Sequence, residues 1–287
     1  MKPLMTREID RRIRQSRAKL ENPYSHLNGE GGFDGLVGEV GREISAIRVE
    51  QVFRGRVNGR ALSRKELEST ARTLQRLLWE RRLAIFGTNE VDPREILNAE
   101  LALKALGYDV TIHESLGELP AGKDSFEVAG IVDKENREVR ISRHPPRSSR
   151  NFTTAHELAH VLLHETSGLH RDRALDGSPV GKRDQQETEA DIFATFFLLP
   201  EKQVRPAFKK RFLADRFAAT EASAFALISG GMHQLRSRFR TRRDLARALA
   251  SAQRYNGRHF SSLAEFFDVS VEMMAIRLEE LDLVDAA

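Results

Sequence analysis

Phe152-Thr153-Thr154-Ala155-His156-Glu157-Leu158-Ala159-His160-Val161-Leu162-Leu163-His164 is the stretch on which the reading of this 287-residue chain turns. Its centre, His156 to His160, is an H-E-x-x-H pattern. Residues four apart lie one turn apart on the same helix face, so both imidazoles can reach one ion. Glu157 lies about 100° round the helix from His156, close enough for its carboxylate to touch a water at that ion. Leu158, Val161, Leu162 and Leu163 make the helix largely apolar. Polar groups on such a helix need partners once buried, and a metal supplies them. The chain has no cysteine. Thiolate ligands, disulfides and cysteine nucleophiles are excluded, and any metal is held by His, Asp and Glu.

A structural zinc site is closed by four protein ligands, whereas a catalytic one keeps three plus a water. One further carboxylate on a buried helix is therefore expected. Glu187, Glu189 and Asp191 are the candidates, in Glu187-Thr188-Glu189-Ala190-Asp191-Ile192-Phe193-Ala194-Thr195-Phe196-Phe197-Leu198-Leu199-Pro200. Ala190, Phe193, Ala194, Phe197 and Leu198 form an apolar stripe at helical spacing. Glu187 sits on the edge of that stripe, Asp191 one turn above it, and Glu189 points further away. Glu187 is the expected third ligand, with Glu189 as the alternative. Asp191 is placed to accept a proton from a ligand imidazole and so set its tautomer. His164 is about 12 Å along the axis from His156 at 1.5 Å per residue, so it is read as a supporting residue. Two imidazoles and one carboxylate suit Zn2+, with Mn2+ or Fe2+ as substitutes.

The same two segments resemble the ImmA/IrrE family of metallopeptidases. Its signature runs F-T-x-A-H-E-x-x-H and later E-x-x-A-N/D-x-F-A-x-x-L-L-x-P, here Phe152 to His160 and Glu187 to Pro200. The likeness spans roughly residues 90–205, with a weaker stretch at 258–284 that includes Leu263 to Ser270 and Arg277-Leu278. The resemblance implies a zincin-like core holding one zinc. The metal would polarise a scissile carbonyl, and Glu157 would take a proton from water and pass it to the leaving amine. It also implies a helix-turn-helix repressor as substrate, whose cleavage releases stress, DNA-damage, prophage or mobile-element genes. An extended peptide is expected to pair with an edge strand of the hairpin at 126–142. Tyr108, His170, His233 and Tyr255 are the candidates for stabilising an oxyanion. The rival reading is a DNA- or protein-binding regulator on a zinc-protease scaffold, with proteolysis not its main role.

Around this centre the chain reads as α+β. Residues 1–85 form a helical N-terminal extension. It begins with a charged helix near Thr6 to Leu20 and a glycine-rich break from Asn28 to Gly38. Ser63 and Glu66 then make a capping box ahead of Leu67, Leu74, Leu77 and Leu78. Residues 86–205 make the metallopeptidase domain. There Asp92, Pro93 and Glu95 predict a helix start, and Gly107 its end. A small antiparallel sheet is expected from strands at 108–112, 126–133 and 138–142. Residues 206–287 are a helical C-terminal region, a basic block followed by a helix-turn-helix-like unit.

Charge is uneven along the chain. The net value is +4, yet Arg205 to Arg258 carries +10 and Ser261 to Ala287 carries −6. Such a pattern points to a charged partner or to the two segments packing on each other. In the helix-turn-helix-like unit, Ser261 and Ser270 are the expected caps. Its second helix holds Glu272, Glu279 and Glu280 against Arg277 alone, which opposes contact with phosphates. That unit is read as a packing or protein-docking module. DNA or another polyanion is expected instead at Arg236, Arg238, Arg240, Arg242 and Arg243. No apolar run approaches the ~20 residues of a membrane span, and the first residues lack an apolar signal core. A cytoplasmic location without membrane contact is expected.

Overall fold

A short helix, α1 (Val49–Val52), and the far longer α2 (Arg64–Glu80) open the computed structural model. It describes residues 47–55, 60–121, 124–164, 170–173 and 185–285. These belong to one compact unit, residues 45–287. The helix expected near Thr6 to Leu20 and the break at Asn28 to Gly38 lie outside the described residues. The Ser63–Glu66 capping box forms as read. Leu67, Leu74 and Leu78 of α2 are buried. The Gln75 side chain donates to the carbonyls of Phe196 and Phe197 at 3.1 and 2.9 Å. This helix is thereby packed against the segment around Phe196 and Phe197.

After α3 (Arg82–Phe86), the structure departs from the helix predicted at Asp92. The Asp92 carboxylate is taken by the amide and guanidinium of Arg94. Only one 3-10 turn, Glu95–Leu97, follows. The real start is Asn98, whose side chain accepts from the Leu101 amide at 3.1 Å and caps α4 (Ala99–Ala105). Gly107, at φ +83°, ends this segment in the left-handed region that favours glycine.

The sheet is mixed, a correction to the all-antiparallel expectation. β1 (Asp109–His113) pairs in parallel with β4 (Glu138–Ser142). β2 (Glu118–Ala121), β4 and β5 (His170–Arg173) all run antiparallel to β3 (Asp124–Asp133). Because the chain reverses twice between β1 and β4, β3 alone opposes its neighbours. The β3–β4 hairpin forms as read, with Arg137 at φ 52° in its turn. Its edges are not open, however. β1 lies along β4, and β5 lies along β3 at Val128 to Val132. A substrate strand cannot add to the hairpin as expected while β1 and β5 are there.

The sheet covers one side of α5 (Arg147–Leu163), and α6 (Gln185–Leu198) packs along its other side, with α2 beyond. Leu158, Phe193, Phe197, Leu74 and Leu78 fill the shared core, each fully buried. Lys134, in the hairpin turn, donates to the carbonyls of His164 and Val161 and so satisfies the C-terminal end of α5.

The remaining chain is helical: α7 (Glu201–Phe212), α8 (Glu221–Ile228), α9 (Met232–Arg238) and α10 (Arg242–Ser251). A two-residue ladder, Arg254–Tyr255 with Arg258–His259, precedes α11 (Leu263–Phe267) and α12 (Val271–Glu280). Ser270 caps α12 as read, but Ser262 rather than Ser261 caps α11, its side chain accepting from the Glu265 amide. α12 is fastened to the body by Arg277, which is 3% exposed. Its Nε donates to the Leu199 carbonyl at 2.9 Å, and its guanidinium lies over Phe196. Burial pushes that guanidinium below its ordinary pKa.

Candidate metal centre

Buried polar groups on α5 and α6 converge on one point. His156, Glu157 and His160 are 7%, 0% and 1% exposed on α5, as H-E-x-x-H spacing on an apolar helix requires. Glu187, in the first turn of α6, faces them and is half-buried. His156 Nε2 and His160 Nε2 lie 3.0 Å apart. Glu187 places one carboxylate oxygen 3.3 Å from His156 Nε2 and the other 3.6 Å from His160 Nε2. One ligand atom from each of the three residues lies within 4.8 Å of the others.

These separations suit a metal ion. Tetrahedral ligands at ~2.0–2.1 Å from zinc stand ~3.3 Å from one another, close to the three edges found here. The ring nitrogens agree. His156 Nδ1 is 2.9 Å from Asp191 Oδ1. With Nδ1 donating to that carboxylate, Nε2 presents a lone pair toward Glu187. Lone pairs and a carboxylate aimed at one point repel each other unless a cation sits among them. Asp191 Oδ1 is thus placed to accept from His156 Nδ1. Glu189, the alternative ligand, is turned away. Its carboxylate accepts from the Leu62 amide at 2.9 Å and from Gln185 at 3.0 Å, and faces His164.

A family model described as Peptidase_M78, IrrE N-terminal-like domain, matches residues 108–279, more than half of the chain. The chain belongs to this family. Membership makes it a metallopeptidase of the ImmA/IrrE group, and the His156–His160–Glu187 cluster is where this M78 chain would hold its metal. Curated proteins return no match. No described helix is long and apolar enough to cross a membrane.

Glu157 is wedged against the sheet. A Cβ built on Gly130 of β3 would fall 1.9 Å from Glu157 Oε1 and 2.7 Å from its carboxyl carbon. Only glycine lets the strand pass this close. The β3–β5 ladder shifts register between Val128 and Gly130, so a bulge lies next to the carboxylate. Sequence reasoning missed Gly130, although a glycine inside a strand pattern is a signal of close backbone approach.

The five arginines of the basic block do not stay together. Arg242 is held by Asp282 at 2.8 Å and by the Val284 carbonyl. Arg243 grips Glu279 at 2.5 Å and Glu272 at 2.7 Å. Arg247 adds a second bond to Glu272 and, with Arg243, holds that carboxyl below the ordinary carboxylate pKa. Arg242 and Arg243 are thus tied into ion pairs within the chain, because α10 packs on α12 and the acidic tail supplies their counter-ions. Arg236, Arg238 and Arg240 are exposed, with the Arg238 guanidinium 5.5 Å over the Phe239 ring. Among the oxyanion candidates, Tyr255 is packed against Phe212 and Phe217, and His233 is exposed.

Proposed function

We propose that the chain is a zinc-dependent endopeptidase that cleaves a helix-turn-helix transcriptional repressor in the cytoplasm. Cleavage would derepress stress, DNA-damage or mobile-element and defence genes. The observation that carries the enzymatic reading is the convergence of His156 Nε2, His160 Nε2 and Glu187 beside the buried Glu157. The choice of repressor rests on the resemblance in Phe152–His160 and Glu187–Pro200. Within this reading, residues 86–205 are the zincin-like catalytic domain. Residues 206–287 are a helical region whose helix-turn-helix-like unit, α11 and α12, packs and docks protein rather than DNA, since its Arg277 is buried.

Zinc, when bound, supplies Lewis acidity to the scissile carbonyl and lowers the pKa of a water beside it. His156, His160 and Glu187 would hold the ion. Glu157 accepts the proton as the water oxygen bonds to the carbonyl carbon. It returns that proton to the amide nitrogen as the C–N bond breaks. Gly130 leaves the space in which its carboxylate sits. Asp191 keeps the His156 ring oriented.

The test is to incubate zinc-loaded wild type and Glu157→Gln with a helix-turn-helix repressor encoded near this chain. Wild type should cut it. The variant should retain metal and lose activity by on the order of a hundred- to ten-thousand-fold, because an amide nitrogen cannot accept the proton. Equal cleavage by the variant contradicts the mechanism. A wild type that binds the repressor or DNA and leaves the repressor whole makes the chain a binding regulator on a protease scaffold.

A further inference from the structure

The two imidazoles at the metal position are supported in different ways. His156 leans directly on the Asp191 carboxylate. His160 leans on a second imidazole: its Nδ1 is 2.8 Å from His164 Nδ1. His164 Nε2 is in turn 3.3 Å from Glu189 Oε2. The other Glu189 oxygen accepts from the Leu62 amide and from Gln185 Nε2. His160, His164 and Glu189 are 1%, 2% and 3% exposed, so water does not stand in for any of these bonds.

A neutral imidazole donates from one nitrogen and accepts at the other. Glu189, an acceptor, makes His164 donate from Nε2, which leaves its Nδ1 as an acceptor. His160 must then donate from Nδ1, and its Nε2 lone pair is left pointing at His156 and Glu187. One carboxylate thus sets the proton positions of two rings in series.

We propose that His164 and Glu189 are positioning residues for the metal: a buried Glu189–His164–His160 relay sets the tautomer and orientation of His160, and the Leu62 amide anchors its far end. This rests on the metal reading above. Supporting partners of metal-bound histidines typically change affinity by 10- to 100-fold when removed. Glu189 also ties α2, through the chain just before its Ser63 cap, to a ligand on α5. That gives the Leu62 segment a role at the metal centre that H-E-x-x-H spacing does not reveal.

The test uses the full-length chain and four proteins: wild type, His164→Leu, His164→Asn and Glu189→Gln. Zinc affinity is read by competition with a chromogenic chelator. The His160 tautomer is read in the metal-free protein by long-range proton–nitrogen NMR of the imidazole. Wild-type His160 should carry its proton on Nδ1. His164→Leu should bind zinc roughly 10- to 100-fold more weakly and lose that tautomer preference. In His164→Asn the amide oxygen falls near the place of Nδ1, so this variant should recover most of the affinity. A packing role alone would not produce that recovery. The Lys134 bond to the His164 carbonyl is a backbone contact that all these variants keep. Should His164→Leu fail to fold, Glu189→Gln decides. It keeps the shape, but an amide nitrogen turned to His164 reverses the relay and puts the His160 proton on Nε2. Unchanged zinc affinity and tautomer in His164→Leu or Glu189→Gln overturns the proposal, as does an Asn variant no better than Leu. A wild type that binds no zinc overturns the metal reading alone. The wild-type tautomer then decides the relay, which a His160 proton on Nε2 contradicts.

Discussion

The α5–α6 pair and the α10–α12 pair both bring charged side chains from distant parts of the chain together, to opposite ends. Between α5 and α6, acids and imidazoles lie in the core, and three of them aim donor atoms at one point. Between α10 and α12, arginines and glutamates lie near the surface and neutralise each other pairwise, Arg243 with Glu279 and Glu272, and Arg247 with Glu272. Charges that pair at a surface contribute little individually and leave no reactive group. Polar groups buried with their lone pairs converging demand a cation, and that demand is what makes a site. Local charge density is therefore a poor guide to function in this chain, while a carboxylate and two imidazoles on apolar helix faces are a good one.

The comparison breaks most sharply at Gly130. Gly130→Ala should cut peptidase activity by on the order of 100-fold, since a displacement near 1 Å at a reacting group costs about that much. Metal content should be unchanged, because no ligand moves. Activity near wild type would mean that Glu157 has room the structure does not show, and steady-state kinetics on a linker peptide read the outcome.

The second contrast sets stability against chemistry. Arg277→Met keeps the side-chain stem but removes the bond to the Leu199 carbonyl. It should destabilise the protein by roughly 1–3 kcal/mol in urea unfolding while leaving zinc affinity as it was. Equal stability of variant and wild type would mean that α12 is not fastened by this residue.

The smallest effect is expected at the exposed arginines. Replacing Arg236, Arg238 and Arg240 together by Ser should change stability by less than about 0.5 kcal/mol. As a proposal, these three make a polyanion contact, so duplex DNA binding should weaken and its salt dependence flatten in the triple variant. If wild type binds no DNA at low salt, or both proteins share one slope, the block is only a solvated surface.

These two regions also mark what the sequence made legible. The grouping of His156, His160 and Glu187 was legible because helical periodicity sets angles within one element, and each residue needed only its own helix to be read. The hairpin at 126–142 was legible for the same local reason. The mixed sheet was not, since pairing β1 with β4 and β5 with β3 is a choice between distant segments that period-two patterning leaves open. The start of α4 differs because the turn that Asp92 opens, its carboxylate accepting from the Arg94 amide, ends as a 3-10 turn at Leu97, and Asn98 caps the helix that follows. Arg242 and Arg243 looked like part of one basic surface because their counter-ions lie about 30 to 40 residues further along the chain. Gly130 and the His164–Glu189 contact join different elements, and only the folded arrangement brings them together.

Metal stoichiometry tests the central claim most directly. Elemental analysis of purified wild type should find one divalent ion per chain, and His160→Ala, which removes one of the three converging donors, should hold none. The same stoichiometry in both proteins would contradict a metal centre at His156, His160 and Glu187.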